Sequence, residues 1–397
     1  MELDAGSVWL DARGTQSVGH AERGIARYVR DHAEALLALR PELIGWVGLS
    51  PDVPVPEAAE TLRRSEKLAW QTAAGPPEGA APSTYHLMSP FEADLELDEI
   101  WPRWGRAAHL VVTLYDLIPL IMREQYNADW GHWSTAWIAR LGLMRSAQQI
   151  LTISERTAED AIEHLRIPED RITVVGSGVS DRFSSLVGTR EEANDVLRSS
   201  LPKVRRGFLL YVGGVDYRKN LEGAIRGYAR LPTAMRDSHQ LVIACNLPLH
   251  RRISLRTFVL DLGIESRNLV LTGFVPDREL AALYRACELF IFPSLYEGAG
   301  LPILEAMTCG APVAASGTSA IPELLGDPAA TFDPADPADI ARCVREVLDS
   351  PAMLDALRRS SREQAALHTW ERVARRTIEG YERALDFAPD PVELPSL

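Results

Sequence analysis

Short apolar runs alternate with helical patterns along nearly the whole chain, and this alternation restricts the fold more than any other feature. Ser7–Asp11, Leu43–Val47, His109–Leu114, Gln149–Ile153 and Arg171–Val175 read as strands. Between them lie helical patterns from Gly24 to Leu39, from about Asp129 to Ser146, and one ending near Leu165. Strands separated by helices return to the same end of a sheet and so pair in parallel. A Ser-rich stretch from about Phe183 to Arg206, carrying charges of both signs, interrupts the pattern. It restarts at Phe208–Val212 and continues through Gln240–Ala244, Asn268–Leu271, Leu289–Phe292, Ala311–Ala315 and Ala330–Phe332. The expectation is an α/β chain of two doubly wound parallel-sheet domains facing a central cleft at the carboxyl ends of their strands, where such folds bind ligands. The boundaries expected are 1–195 for the first domain, 206–369 for the second, and 370–388 for a final helix. Pro51 to Pro82 reads as a variable loop region, and the Pro-rich tail Pro389–Leu397 as loose.

A length of 397 residues exceeds one ordinary core and agrees with two domains. Hydrophobic and charged contents of 46% and 24% are globular values. No apolar run long enough to span a bilayer occurs, and Met-Glu-Leu-Asp lacks a basic secretory start, so a soluble, cytoplasmic protein is expected. A net charge of −13 argues against general nucleic-acid binding, which needs a basic face. Cys245, Cys287, Cys309 and Cys343 form no metal-ligand spacing and read as buried free thiols.

The segment Glu297-Gly-Ala-Gly-Leu-Pro-Ile-Leu-Glu305 follows an apolar strand with a glycine turn and a helix start near Leu301. Glycines let a ligand approach the backbone, and unpaired N–H groups at a helix start attract an anion. A carboxylate on each side can hold hydroxyls, although the pattern also fits a plain turn with two solvated glutamates. Tyr211-Val-Gly-Gly-Val-Asp-Tyr-Arg-Lys-Asn220 is a second strand and glycine turn, including Gly214, with two cations at a helix start. Arg218 by a forked hydrogen bond and Lys219 as a point charge can neutralise a diphosphate, while chance cations at a solvated helix start are the alternative. With no Asp-x-Asp in the chain, no metal is expected. A dinucleotide dehydrogenase is disfavoured, since neither half opens with Gly-x-Gly-x-x-Gly. In Leu271-Thr-Gly-Phe-Val-Pro-Asp277, backbone groups around Phe274 and Val275 can read a base edge, or the segment is an Asp-capped helix start.

In the first half, glycines at 14, 19 and 24 lie between the first strand and the first helix. Gly24 would admit a ligand phosphate or an acceptor, with Arg27 and Tyr28 on the first helical turn. Tyr115 and Asp116, just past a strand, point toward the same cleft, with a capping role for Asp116 equally open. Trp130, Trp133 and Trp137 share a helical face, which reads as core packing first and as an acceptor or weak peripheral membrane contact second.

These segments together resemble the retaining glycosyltransferases of family 4, with the two-domain GT-B fold, over almost the whole length. Glu297 and Glu305 are similar to that family's Glu-x7-Glu motif, and Glu305–Ala315 and Ile321–Gly326 to the segments that follow it. Arg23–Tyr28, Tyr115–Pro119, Leu151–Ser154 and Val175–Val179 resemble mannosyltransferase-like members that build O-antigens and related glycans. The resemblance implies that Glu297 faces the transferred sugar and Glu305 the ribose. It implies that Arg218 and Lys219 hold the diphosphate, and that Gly298, Ala299, Gly300 and Leu301 donate backbone N–H groups. It also implies that the final helix crosses back to the first domain, with a hinge near Thr369. Tyr115 stands where many members have His, Gly214 where many have Arg, and Ala299 where Phe is common.

The function implied is metal-independent transfer of a hexosyl group, with mannosyl a candidate, from a GDP- or UDP-linked sugar. The hydroxyl acceptor would be a glycan, a lipid-linked molecule or a small molecule, with no further cofactor and no nucleic-acid partner. A nucleotide-sugar epimerase or phosphorylase of the same fold, or a catalytically silent sugar-binding protein, is the alternative.

Overall fold

The computed structural model describes residues 3–16, 24–71, 82–91, 96–126, 130–326 and 330–388, with the side chains at 130–136 and 181–182 outside that description. Gly19, the side chains of Trp130 and Trp133, and the tail from Pro389 therefore lie outside the described residues. The chain divides into two units, Met1–Gly178 with Thr369–Leu397, and Val179–His368.

The first unit holds a seven-stranded sheet of β1 (Val8–Asp11), β2 (Ile44–Leu49), β3 (Leu68–Trp70), β4 (Thr84–Leu87), β5 (His109–Leu114), β6 (Gln149–Thr152) and β7 (Ile172–Val174), in the order β3-β2-β1-β4-β5-β6-β7. Every pairing is parallel. All six residues of β5 are buried, as expected of a parallel strand covered on both faces. The helix Trp130–Ser146 packs inward through Leu143 and Met144, and Trp137 stacks on Phe91 at 5.5 Å, so this tryptophan is a packing residue.

The helix Trp370–Ala384 belongs to this unit and lies on the helix Gly24–Leu39 and on β5, β6 and β7. Its buried stripe of Val373, Ala374, Thr377, Ile378, Tyr381 and Ala384 has helical spacing. Gly380 permits close approach, since a Cβ there would lie 2.5 Å from Leu151 Cδ2. Two buried histidines tie the helix down. His32 Nε2 is 2.7 Å from Thr377 Oγ1, and His86 bridges Tyr381 Oη at 2.7 Å and Thr113 Oγ1 at 2.8 Å.

The second unit holds β8 (Leu209–Val212), β9 (Leu241–Ala244), β10 (Leu269–Leu271), β11 (Leu289–Phe292), β12 (Val313–Ser316) and β13 (Thr331–Phe332), all parallel, in the order β10-β9-β8-β11-β12-β13. Successive strand residues feed opposite cores. Leu210, Phe290 and Phe292 pack with Ile303 and Leu304, whereas Leu209, Tyr211, Leu289 and Ile291 pack with Ile225 and Ile340. The strand order reverses between β8 and β11, which makes their carboxyl ends the topological switch point. The four cysteines are buried free thiols, and burial pushes those of Cys309 and Cys343 up to about 12.

Two expectations are corrected. The first domain ends at Gly178 and not at 195, because Phe183, Val187, Ala193, Val196 and Leu197 enter the second unit's core against Ala281 and Tyr284. The polar look of this stretch hides an apolar stripe in the helix Arg190–Ser200. In addition, the region Pro51–Pro82 contains the helix Glu60–Arg63 and the edge strand β3, and β4 follows it as the central neighbour of β1.

Burial holds His32 well below its usual value, at about 3, and burial together with His32 holds His86 well below its usual value. Both are neutral when folded, so the stability they carry is complete above the unfolded value of 6.5 and is lost as the pH falls below it. The unfolding free energy should fall with acidification at up to about 1.4 kcal/mol per pH unit for each histidine. Denaturant titration should give a shallower slope for His32→Gln/His86→Gln, and an unchanged slope would show that these residues do not carry the effect.

Candidate functional site

The chain leaving β8 turns through Gly213 and Gly214 into a single 3-10 turn, Tyr217–Lys219. Asp216 starts that turn, its carboxylate accepting from the Arg218 N–H at 3.0 Å. Asn220 closes it in the left-handed conformation at φ 52°, which Asn tolerates better than most residues. Its amide donates to the carbonyls of Pro293 at 3.0 Å and Pro334 at 2.7 Å, fastening this loop to the one that leaves β11. A second tie runs from the Leu295 N–H to the Arg218 carbonyl at 2.7 Å. The Tyr211 hydroxyl, within 3.2 Å of the Gly214 and Lys219 carbonyls, supports the loop from below.

Glu297 reaches across from the β11 side and is 5% exposed. Its carboxylate accepts from Arg218 Nη1 at 2.6 Å on one oxygen and from Lys219 Nζ at 2.6 Å on the other. Burial pushes the Glu297 carboxyl up, but the summed attraction of Lys219 and Arg218 outweighs it and holds the group below the usual range. For Lys219 burial is also the largest influence and Arg218 adds to it. Glu297 opposes both, and the ammonium ends below its ordinary value. The Lys219 ammonium also lies 5.6 Å from the Phe292 ring centroid.

Past Glu297 the backbone turns through Gly298, Ala299 and Gly300, all buried. Gly300 stands at φ 110°, and a Cβ there would lie 3.2 Å from Leu324 Cδ1, so glycine is required on both counts. It precedes the helix Leu301–Thr308, whose Pro302 sits in the first turn, where no backbone donor is needed. Glu305 is half-buried on the second turn and accepts from the Tyr284 hydroxyl at 3.3 Å. At the end of β10, Gly273 turns at φ 76°, Phe274 is 52% exposed and Val275 packs into the core.

The second unit therefore gathers Arg218, Lys219 and Glu297 into one cluster, with Gly214, Gly298, Ala299, Gly300, Leu301 and Glu305 on the loops and helix around it. Sequence reasoning missed Ser319. Its hydroxyl accepts from the Glu297 N–H at 2.8 Å and donates to the Glu297 carbonyl at 2.7 Å, with the backbone left-handed at φ 56°. It lies 22 residues from Glu297, and nothing in its own neighbourhood announces that pairing.

The first unit treats its candidates differently. Tyr28 is 1% exposed, donates to the Gly176 carbonyl at 2.6 Å, and packs edge-on against Tyr115 at 5.2 Å and Trp370 at 4.9 Å. Tyr115 donates to the Met88 carbonyl at 2.7 Å. Both phenols thus have packing roles here, a correction to the expectation that they line a cleft. Asp116 accepts from the Ile118 N–H at 3.0 Å, one residue before the cap position Leu117 of the short helix Ile118–Ile121. Arg27 is half-buried on the first helix, which Gly24 opens at φ 54° with no described residue outside its own helix within 4 Å of where a Cβ would stand. Among the described residues no group of three His, Cys, Asp or Glu side chains could hold a metal ion.

Two parallel αβα units, the second with a cationic loop at its switch point, define the GT-B class. Residues 23–183 match the model of Glycosyltransferase Family 4, and residues 194–364 that of Glycosyl transferases group 1. The chain belongs to the family 4 glycosyltransferases. It is 33% identical over 276 residues to the serotype-specific mannosyltransferase WbdA of Escherichia coli, covering 69% of this chain and 33% of that protein. It thus spans about a third of the length of that relative. Among solved structures it is similar to sucrose-phosphate synthase from Thermosynechococcus elongatus, with a TM-score of 0.72, 20% identity, and 96% and 99% of the two chains covered. It is also similar to HepE of Anabaena in complex with UDP-glucose, with a TM-score of 0.68, 16% identity, and 94% and 97% covered.

An anion entering between Arg218 and Lys219 must compete with the Glu297 carboxylate already there. Glu297→Gln should therefore bind inorganic diphosphate roughly tenfold more tightly, about 1.4 kcal/mol, by calorimetric titration. Equal or weaker binding would sink that competition.

Proposed function

We propose that the protein transfers a hexosyl group from a nucleotide diphosphate sugar to a hydroxyl group of a glycan, with retention at the anomeric carbon and without a metal ion. The observation that carries this reading is the convergence of Arg218, Lys219 and Glu297 at the β8/β11 switch point. Two half-buried cations can neutralise a diphosphate where a metal otherwise would, and the N–H groups at the start of the helix Leu301–Thr308 add donors for phosphate or sugar oxygens. The β10 turn at Phe274 lies three strand spacings from β11, ~14 Å at about 4.8 Å each, a span on the scale of an extended nucleotide sugar. Glu305, which accepts from Tyr284 on the helix that follows β10, suits the ribose hydroxyls.

In the reaction the bond from the anomeric carbon to the diphosphate oxygen breaks, and the electron pair leaves with the phosphate. Arg218 and Lys219 stabilise the charge that develops there, the main source of rate for such a step. The acceptor oxygen attacks from the face the diphosphate leaves, and its proton passes to the departing phosphate oxygen. Glu297, displaced from the cations by the diphosphate, turns to the sugar hydroxyls and orients the ring. A mannosyl group is favoured by the likeness to the mannosyltransferase WbdA, and the UDP-glucose complex of HepE keeps UDP-linked donors beside GDP-linked ones in the panel.

Incubation with GDP-mannose, UDP-glucose and related donors in the presence of EDTA should yield slow donor hydrolysis and, with a glycan acceptor, a product whose anomeric configuration by NMR is that of the donor. Inversion, or donor epimerisation with no acceptor present, would overturn the reading. For Lys219→Ala, kcat should fall by roughly 100- to 1000-fold, about 3–4 kcal/mol in the barrier. Wild-type turnover would remove Lys219 from the leaving-group role.

A further inference from the structure

The helix Leu249–Asp261 in the second unit has two apolar faces. Leu255 and Val259 pack inward with Leu247 and Ile264. Leu249, Ile253 and Leu260 point to solvent at 72%, 59% and 64% exposure. At 100° per residue these three fall within about 40° of one another, so they form one aliphatic ridge on the outer side, with Arg256 set into it between Ile253 and Leu260. Arg252 and Arg256 lie along one side of the ridge, both exposed and with no ion pair among the described residues. The third arginine, Arg251, pairs instead with Glu222 at 2.9 Å. The helix carries three arginines against the single acid Asp261, in a chain whose net charge is −13. A solvent-facing aliphatic ridge costs free energy and is one of the few clusters of exposed large apolar side chains in the described structure.

We propose that this ridge docks the protein on an anionic bilayer surface, with Leu249, Ile253 and Leu260 entering the headgroup boundary and Arg252 and Arg256 pairing with lipid phosphates. Charge selects the partner, since two unpaired arginines beside an apolar ridge complement an anionic surface. Size and chemistry separate a bilayer from a protein. Three aliphatic side chains fall far short of the roughly 20–30 residues a side that a stable protein interface uses, and the ridge has no aromatic anchor. A convex ridge needs no matching groove in a deformable surface, and long arginine stems reach headgroups while their carbons stay with the apolar layer. No helix among the described residues is long and apolar enough to cross a membrane, so the contact is peripheral. This surface is separate from the tryptophan helix of the first unit, where Trp137 is packed inward.

Cosedimentation with vesicles of phosphatidylcholine, with and without phosphatidylglycerol, tests the proposal on the full chain. Binding is expected to the mixed vesicles only and to weaken as salt is raised. It should fall about tenfold or more both in Leu249→Ser/Ile253→Ser/Leu260→Ser and in Arg252→Glu/Arg256→Glu. Neither set touches the donor loops, so diphosphate binding should remain that of the wild type, which also reports that the variants are folded. Equal binding to both vesicle types, no binding, or binding unchanged by both sets would overturn the proposal. So would a concentration-dependent dimer in sedimentation velocity that the same serine substitutions abolish, since the ridge would then serve a second copy of the chain.

Discussion

Glu297 is a buried carboxylate held between two cations, and the loops of the second unit are arranged around keeping it there. Burying a single charge costs several kcal/mol, so the arrangement persists only if partners meet it with good geometry. Both carboxylate oxygens are matched at 2.6 Å, one by Arg218 and one by Lys219. Ser319 fixes the Glu297 backbone, Asn220 fastens the cationic loop to Pro293 and Pro334, and Tyr211 props it from the strand. The cluster is poised for exchange. In the proposed reaction a ligand carrying two phosphates takes over the cations, and the displaced glutamate turns toward the sugar that the phosphates carry.

The first unit applies the same rule to a structural end. Asp11 and Arg13 form a buried pair at 2.6 Å, and the carboxylate also accepts from the Tyr85 hydroxyl at 2.9 Å. Arg13 in turn donates to the Glu99 carbonyl at 2.9 Å. The chain just past β1 is thereby locked to β4 and to the segment that follows it. His86 and His32, neutral in the interior, bind the final helix by hydrogen bonds to Tyr381 and Thr377. In both units the paired charges, Asp11 with Arg13 and Glu297 with Arg218 and Lys219, stand at or beside strand ends, because a parallel sheet covered on both faces leaves its loops as the places where charge can be organised.

Element type was legible where periodicity was strong. The helix Gly24–Leu39, the strands β5 and β11 and the helix after Thr369 are read from the chain almost to the residue. The strand β4 was not. Thr84-Tyr-His-Leu has the composition of a half-polar turn, and its burial makes sense only once Tyr85 meets Asp11 and His86 meets Thr113 and Tyr381. Tyr28 and Tyr115 were assigned to a cleft because a tyrosine on the first turn of a helix behind a glycine, or just past a strand, looks available for ligands. The carbonyls of Gly176 and Met88 that receive their hydroxyls are distant in sequence.

The sequence alone determined the parallel α/β architecture, the two-part repetition of the plan, and the residues from which a phosphate and sugar site can be built. Helical and strand periods are local properties, and glycines beside charges announce close approach within a few positions. Only the tertiary structure decided that residues 179–200 serve the second unit, that Glu297 rests on Arg218 and Lys219, and that Ser319 holds its backbone. It also decided that one side of the helix Leu249–Asp261 is left uncovered. Each depends on which chain segments meet in space, and for a buried charge or an exposed apolar ridge the neighbour sets the energy.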